Sequence, residues 1–256
     1  MKFHYCWFGN SPKSPLILKC IASWRRYCPN AEIIEWNESN FDINVSRYTK
    51  EAYLSKKWAF VSDYCRFYVL YNYGGVYLDT DVELLRNIDD LPTNFVGFEN
   101  PNYVASGLIR GAQKGDWFCK LMLKDFNKDV FIISQGVFNE KTVCERETEL
   151  LCKYGLKRNN KYQQIVDLSI FPSDFFCPID YKTGDIKITK NTHSIHHYAA
   201  SWCKDEMCYH KNIYKKLSRI LPIKLALPLT VLIRNIKFNG YKNTSKKIIR
   251  HLIAKR

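Results

Sequence analysis

The amino-acid sequence predicts an α/β protein: a mixed, mainly parallel sheet flanked by helices, followed by a basic helical C-terminal segment. Three observations carry this prediction. The chain opens as strand, helix and strand, and a beginning of that length implies a right-handed crossover between parallel strands. A long apolar helix then runs through Gly74-Gly75 into a short buried strand. From Lys211 to the terminal Arg256 there are thirteen Lys or Arg and no Asp or Glu.

Residues 2–8 are rich in aromatics and read as the first strand, broken by Gly9-Asn10-Ser11-Pro12. From Pro15 to Tyr27, Ile17, Ile21 and Trp24 share one helical face, and Pro29-Asn30 ends the helix. Residues 31–36 form the second strand. If both strands are parallel, the turn 37–40 faces the same rim as Trp7. Residues 51–73 read as one long helix, with Val61, Cys65, Tyr68 and Val69 on its apolar face. Asp63 and Arg66 lie three apart on the opposite face, where a surface ion pair is worth under ~1 kcal/mol. Gly74 supplies the left-handed stop, and Val76-Tyr77-Leu78 is long enough only for a buried strand. Further on, residues 83–85, 95–99 and 106–112 read as strands. Residues 116–126 and 144–154 read as helices, the first turning Phe118, Leu121, Met122 and Phe126 to the core.

The chemistry follows the third strand. Asp79-Thr80-Asp81 places two carboxylates where a strand emerges, and in open α/β sheets ligands bind beyond the carboxyl ends of strands. Adjacent carboxylates repel unless a proton or cation lies between them, and hard oxygen sites suit Mg2+ or Mn2+. The plain alternative is a polar turn.

Composition bounds the rest. Of 256 residues, 25% are charged and 46% apolar, ordinary for a globular protein. We expect one catalytic domain over residues 1–210 and a separate segment over 211–256. The net charge of +14 is uneven, since residues 1–210 hold 26 basic against 25 acidic residues. The ten cysteines form no Cys-x-x-Cys pair and several fall in apolar runs, so they read as reduced thiols of a cytosolic protein. No signal-peptide pattern opens the chain. Residues 220–233 are too short and too charged to span a bilayer. The basic segment suits an anionic membrane surface, and nucleic acid is discounted because no recognised binding fold surrounds it.

Ser62-Asp63-Tyr64-Cys65-Arg66 and Tyr73-Gly74-Gly75-Val76-Tyr77-Leu78-Asp79-Thr80-Asp81 together resemble the core signature of the DXD-motif sugar transferase family. That family includes Och1-like mannosyltransferases, α-1,4-galactosyltransferases and bacterial capsule and lipopolysaccharide enzymes. It is also similar to the glucosyltransferase domains of large clostridial toxins. His4, Trp7 and Gly9 match an opening Ile-His-x-x-Trp-x-Gly pattern, and Ile195-His196-His197 through Ser201-Trp202 match a late Ile-His-His-x-x-x-Ser-Trp pattern. Ser134-Gln135-Gly136-Val137 falls where relatives often carry Thr-Gly-Pro, without the proline.

The resemblance implies a GT-A-like, Rossmann-like fold, a nucleotide-sugar donor (a UDP-sugar), Mn2+ or Mg2+, and retention at the anomeric carbon. It places Trp7 at the base and Asp63, Arg66 and Tyr77 at the donor sugar. Asp79, Asp81 and His196 would hold the metal, with Ser201 and Trp202 closing over the diphosphate. On a strand His196 and His197 face opposite sides, and the resemblance favours His196; His4 reads as structural. A zinc site of His196, Cys203, Cys208 and His210 has no standard spacing. The expected function is retaining glycosyl transfer to a saccharide or lipid-linked oligosaccharide in bacterial surface polysaccharide synthesis. It would take place in the cytoplasm at the inner membrane face. A metal-dependent phosphoesterase and a toxin-like transferase acting on a protein are the alternatives.

Overall fold

The elements of the computed structural model run β1 (Lys2–Cys6), α1 (Pro15–Tyr27), β2 (Glu32–Trp36), α2 (Arg47–Leu54), α3 (Trp58–Tyr73), β3 (Gly75–Tyr77) and β4 (Val82–Leu84). They continue with β5 (Phe95–Asn100), β6 (Tyr103–Val104), β7 (Arg110–Ala112), α4 (Trp117–Phe126), β8 (Ile132–Ser134) and β9 (Val137–Phe138). The last are α5 (Val143–Lys153), β10 (Gln163–Ile165), β11 (Leu168–Phe171) and β12 (Ser194–His196). The described residues are 1–179, 185–199, 209, 213–214, 216–222, 225–226, 228–238 and 240. They fall in two units, Met1–Pro178 with Lys187–Tyr198, and Ile179–Ile186 with Ala199–Arg256. Among them no helix is long and apolar enough to cross a membrane.

The first unit is built on a mixed sheet in the order β10-β11-β5-β7-β3-β1-β2. Its longest ladder, β1 on β2, is parallel, and so are β1 on β3 and β5 on β11. β7 runs antiparallel to both its neighbours, β3 and β5. This is the helix-flanked, mainly parallel sheet that the sequence predicts. Successive residues of β1 face opposite layers. Phe3 and Tyr5 pack with Ile17, Ile21 and Trp24 of α1, while Cys6 joins the side that holds α3, α4 and α5. α1 starts where Ser14 accepts the Ile17 N–H, ahead of Pro15. Buried Cys20, Cys65 and Cys119 behave as small hydrophobes outside any disulfide.

Two element expectations change, and one is that the strand read over residues 106–112 forms only at Arg110–Ala112. The single helix predicted over 51–73 is two helices, and the first begins earlier, at a reciprocal cap between Ser46 and Thr49. It ends in a Schellman turn: the Lys57 N–H bonds Ala52 O at 2.9 Å, the Lys56 N–H bonds Tyr53 O at 2.9 Å, and Lys56 takes φ 55°. With lysine where glycine usually stands, nothing in the sequence marked this break. For Asp63 and Arg66, the plain alternative to a role at the donor sugar, an exposed ion pair, falls away. α3 is covered nearly all round, and the Arg66 side chain is only 4% exposed. A helix buried on every side lies inside a protein.

The junction from α3 into β3 admits only glycine. Gly74 has φ 65°, and a Cβ there would lie 2.7 Å from Lys114 N. Its carbonyl bonds the fully buried His4 ring at 2.8 Å, and the Trp36 indole donates to the other His4 nitrogen at 3.1 Å. His4 is structural, as read from the sequence.

Candidate active site

Because β1 and β3 are parallel neighbours, the chain leaves both at the same edge of the sheet. Trp7 follows β1, the turn at Asn37 follows β2, and Asp79 follows β3. At that edge a cavity of about 870 Å³ is walled by Trp7, Tyr53 and Trp58 and rimmed by Lys13, Glu35 and Glu38. Gly9 permits it: a Cβ there would lie 2.5 Å from the Trp58 indole. The Gly9 N–H donates to Glu38 at 2.8 Å, tying the first and second strand ends together. Lys13 Nζ lies 5.3 Å from the Trp7 ring centre. Aromatic walls and a polar rim of this size suit a planar heterocycle with attached polar groups.

Beneath the Asp79 turn is a buried ionic cluster centred on Arg66. Its guanidinium donates to Asp79 Oδ1 at 2.8 Å and to Ser106 Oγ at 3.2 Å, and lies 3.3 Å from Asp63 Oδ1. It also covers the Tyr77 ring at 4.8 Å. The Tyr77 hydroxyl donates to the same Asp79 oxygen at 3.1 Å. Burial works against charge on Arg66, yet the surrounding Asp79, Tyr77 and Asp63 hold it firmly protonated. Burial pushes Asp63 up to about 6 and raises Asp79 as well, against the pull of Arg66. Asp79 is thus a fixed carboxylate, oriented before any ligand arrives. Gly107 completes its seat: its carbonyl accepts the Asp79 N–H at 3.0 Å, and a Cβ there would lie 2.2 Å from Asp79 Oδ2. Gly107→Ala should therefore displace the Asp79 carboxylate and cut turnover at least ~10-fold. Wild-type rates in that variant would show that the position of Asp79 is not critical.

Asp81 points the other way. β12 pairs antiparallel with β4, so His196 stands opposite Val82 and its Nε2 lies 3.1 Å from Asp81 Oδ1. His197 turns to Glu83 at 2.8 Å, as strand alternation requires. Burial opposes protonation of His196, but the Asp81 carboxylate outweighs it and raises the pKa. Its Nδ1 is buried without a hydrogen-bond partner. Among the described residues no group of three His, Cys, Asp or Glu is placed to hold a metal ion by itself. The Asp81 oxygen and the His196 nitrogen are a donor pair of the kind that suits Mn2+ or Mg2+ with further oxygens from a ligand.

Of the residues singled out in the sequence, Asp63, Arg66, Tyr77 and Asp79 share one cluster, Asp81 and His196 form a pair, and Trp7 lines the neighbouring cavity. Ser201, Trp202, Cys203, Cys208 and His210 lie outside the described residues, as does half of the segment 211–256. Ser134-Gln135-Gly136-Val137 forms the turn of the β8–β9 hairpin, exposed and with Gly136 at φ 75°. Sequence reasoning had Ser106 only as the start of a strand, and missed Glu147. Glu147 is fully buried, and its carboxylate accepts the Ser106 N–H at 2.6 Å. Desolvation pushes its pKa up to about 8. One signal existed: Glu147 is four residues from Val143 and from Leu151, on the apolar face of a helix.

Residues 15–96 match the family model described as "Glycosyltransferase sugar-binding region containing DXD motif". The chain is similar to lactosylceramide 4-alpha-galactosyltransferase of Rattus norvegicus, 36% identical over 66 residues, which are 26% of this chain and 18% of that protein. The enzyme of the same name from Pongo pygmaeus is 36% identical over 66 residues, 26% of this chain and 29% of that one. The chain thus spans less than a third of the length of these relatives. Among solved structures, PaToxG glycosyltransferase aligns at 16% identity with a TM-score of 0.43, over 59% of this chain and 67% of that chain. The matched segment contains the whole run from Asp63 to Asp81, and the likeness to the DXD-motif sugar transferases rests on that segment.

Proposed function

We propose that this chain is a retaining glycosyltransferase that takes a sugar from a UDP-sugar, with Mn2+ or Mg2+, and places it on a saccharide or lipid-linked oligosaccharide. The observation that supports this reading best is the preorganised Arg66 cluster at the same sheet edge as the Trp7 cavity. A base stacked on Trp7 would gain roughly 1–3 kcal/mol and set the diphosphate toward the loop 79–81. Asp63, beside Arg66, would accept hydrogen bonds from sugar hydroxyls. Arg66, locked between two carboxylates, acts by holding Asp79 and Asp63 rather than by reaching the diphosphate itself. Asp81 and His196 would hold the cation, Asp79 supporting. When bound, the cation supplies charge stabilisation to the departing diphosphate. The C1–oxygen bond to the diphosphate breaks, the acceptor oxygen bonds C1 from the same face, and its proton passes to the leaving phosphate.

We place this activity in bacterial surface polysaccharide synthesis, in the cytoplasm, with the basic segment 211–256 drawn to the anionic inner face of the membrane. The full chain should sediment with anionic vesicles at low salt and be released at high salt; recovery in the supernatant at low salt rules the membrane role out. The deciding experiment for the activity is a screen of nucleotide-sugars with Mn2+. UDP-galactose comes first, because the curated relatives are named galactosyltransferases. A transferase releases nucleoside diphosphate from one donor. Monophosphate products would mean a phosphoesterase, and no product from any donor would refute the reading.

A further inference from the structure

We infer that Glu147, on α5 and outside the matched segment, is a positioning residue for the donor site, acting through Ser106 on Arg66. The inference rests on the reading of that site given above. Two successive side chains of α5 grip one stretch of backbone: Glu147 accepts the Ser106 N–H at 2.6 Å and Thr148 Oγ1 accepts the Val104 N–H at 2.9 Å. The gripped stretch touches Asp79 by two routes. The Ser106 hydroxyl accepts from Arg66, whose other nitrogen holds Asp79 at 2.8 Å. The next residue, Gly107, accepts the Asp79 N–H at 3.0 Å. α5 therefore reaches the carboxylate at the strand end through one residue of intervening chain.

Glu147 has no exposed surface, and its second oxygen is buried without a partner. A group that only fastened α5 to the sheet would gain nothing from a carboxyl here, since burial makes one costly. The acceptor for Ser106 is what the position supplies. An amide oxygen would supply it equally, and a hydrocarbon would not.

The test compares Glu147→Gln, Glu147→Leu, Ser106→Ala and the Leu/Ala double variant, with exposed Glu149→Gln as the control. We expect Glu147→Leu to lower kcat ~10–100-fold with donor KM within about threefold of wild type. Glu147→Gln should restore most of that loss. Ser106→Ala should also lower kcat, and the double variant should fall short of the summed single effects, because both act on Arg66. Additive losses, or an unchanged kcat in Ser106→Ala, would overturn the proposal, the latter even if Glu147→Leu does not fold. Crystal structures of Glu147→Leu and Ser106→Ala provide a readout independent of turnover. Arg66 should leave Asp79, and an Arg66 still seated in both would reject the positioning role. A wild-type chain that turns over no nucleotide-sugar would refute the transferase reading alone, and the place of Arg66 in those crystals would still decide this one.

Discussion

Asp81→Asn should abolish metal-stimulated donor turnover, by at least ~100-fold, and leave the melting temperature near that of wild type. The turn at 79–82 is closed by backbone, with the Val82 N–H bonded to Asp79 O and the His197 N–H to Asp81 O, each at 3.0 Å. Asparagine has the same shape and presents an amide to His196 in place of a carboxylate oxygen. What it removes is the negative charge needed beside a divalent cation. Full turnover in Asp81→Asn, measured across a manganese titration, would remove Asp81 and His196 from the site. A collapse in melting temperature would instead make the residue structural.

Arg66→Met should destabilise the fold by about 3–5 kcal/mol, seen as a lower midpoint in urea at an unchanged slope. Arg66 is buried against two carboxylates, and removing its charge leaves Asp63 and the partly exposed Asp79 facing each other with no cation between them. Those acids then stay neutral or admit water, and either outcome costs stability. Arg66→Met combined with Asp79→Asn should recover part of the loss, because one of the stranded charges is gone. A single-variant loss below ~1 kcal/mol would mean that the pair behaves as an exposed one.

Much of this could be read before folding because it is local. Strand alternation and helical spacing set β1, α1, β2 and α4, and Gly74-Gly75 announced the turn into β3. Alternation along a strand said that only one of His196 and His197 could face the site, and the family resemblance, not the spacing, chose His196. The Schellman break at Lys56 had no glycine to betray it, so two helices read as one. The Asp63–Arg66 spacing was legible, but burial was not. Helical periodicity tells which residues share a face, whereas what covers that face is decided by α2, α4 and the sheet.

The sequence by itself determined the chemistry: which carboxylates leave the third strand, which tryptophan follows the first, and which histidine lies late in the chain. Only the tertiary structure decided that Arg66 is spent on fixing Asp79 and that Asp81 meets His196. It alone brought Glu147 to Arg66 through Ser106. The physical reason is range. Residue type and spacing act over a few positions, while the solvation and partners of a buried charge are set by segments 13 to 115 residues away, as from Arg66 to Asp79 and from Asp81 to His196.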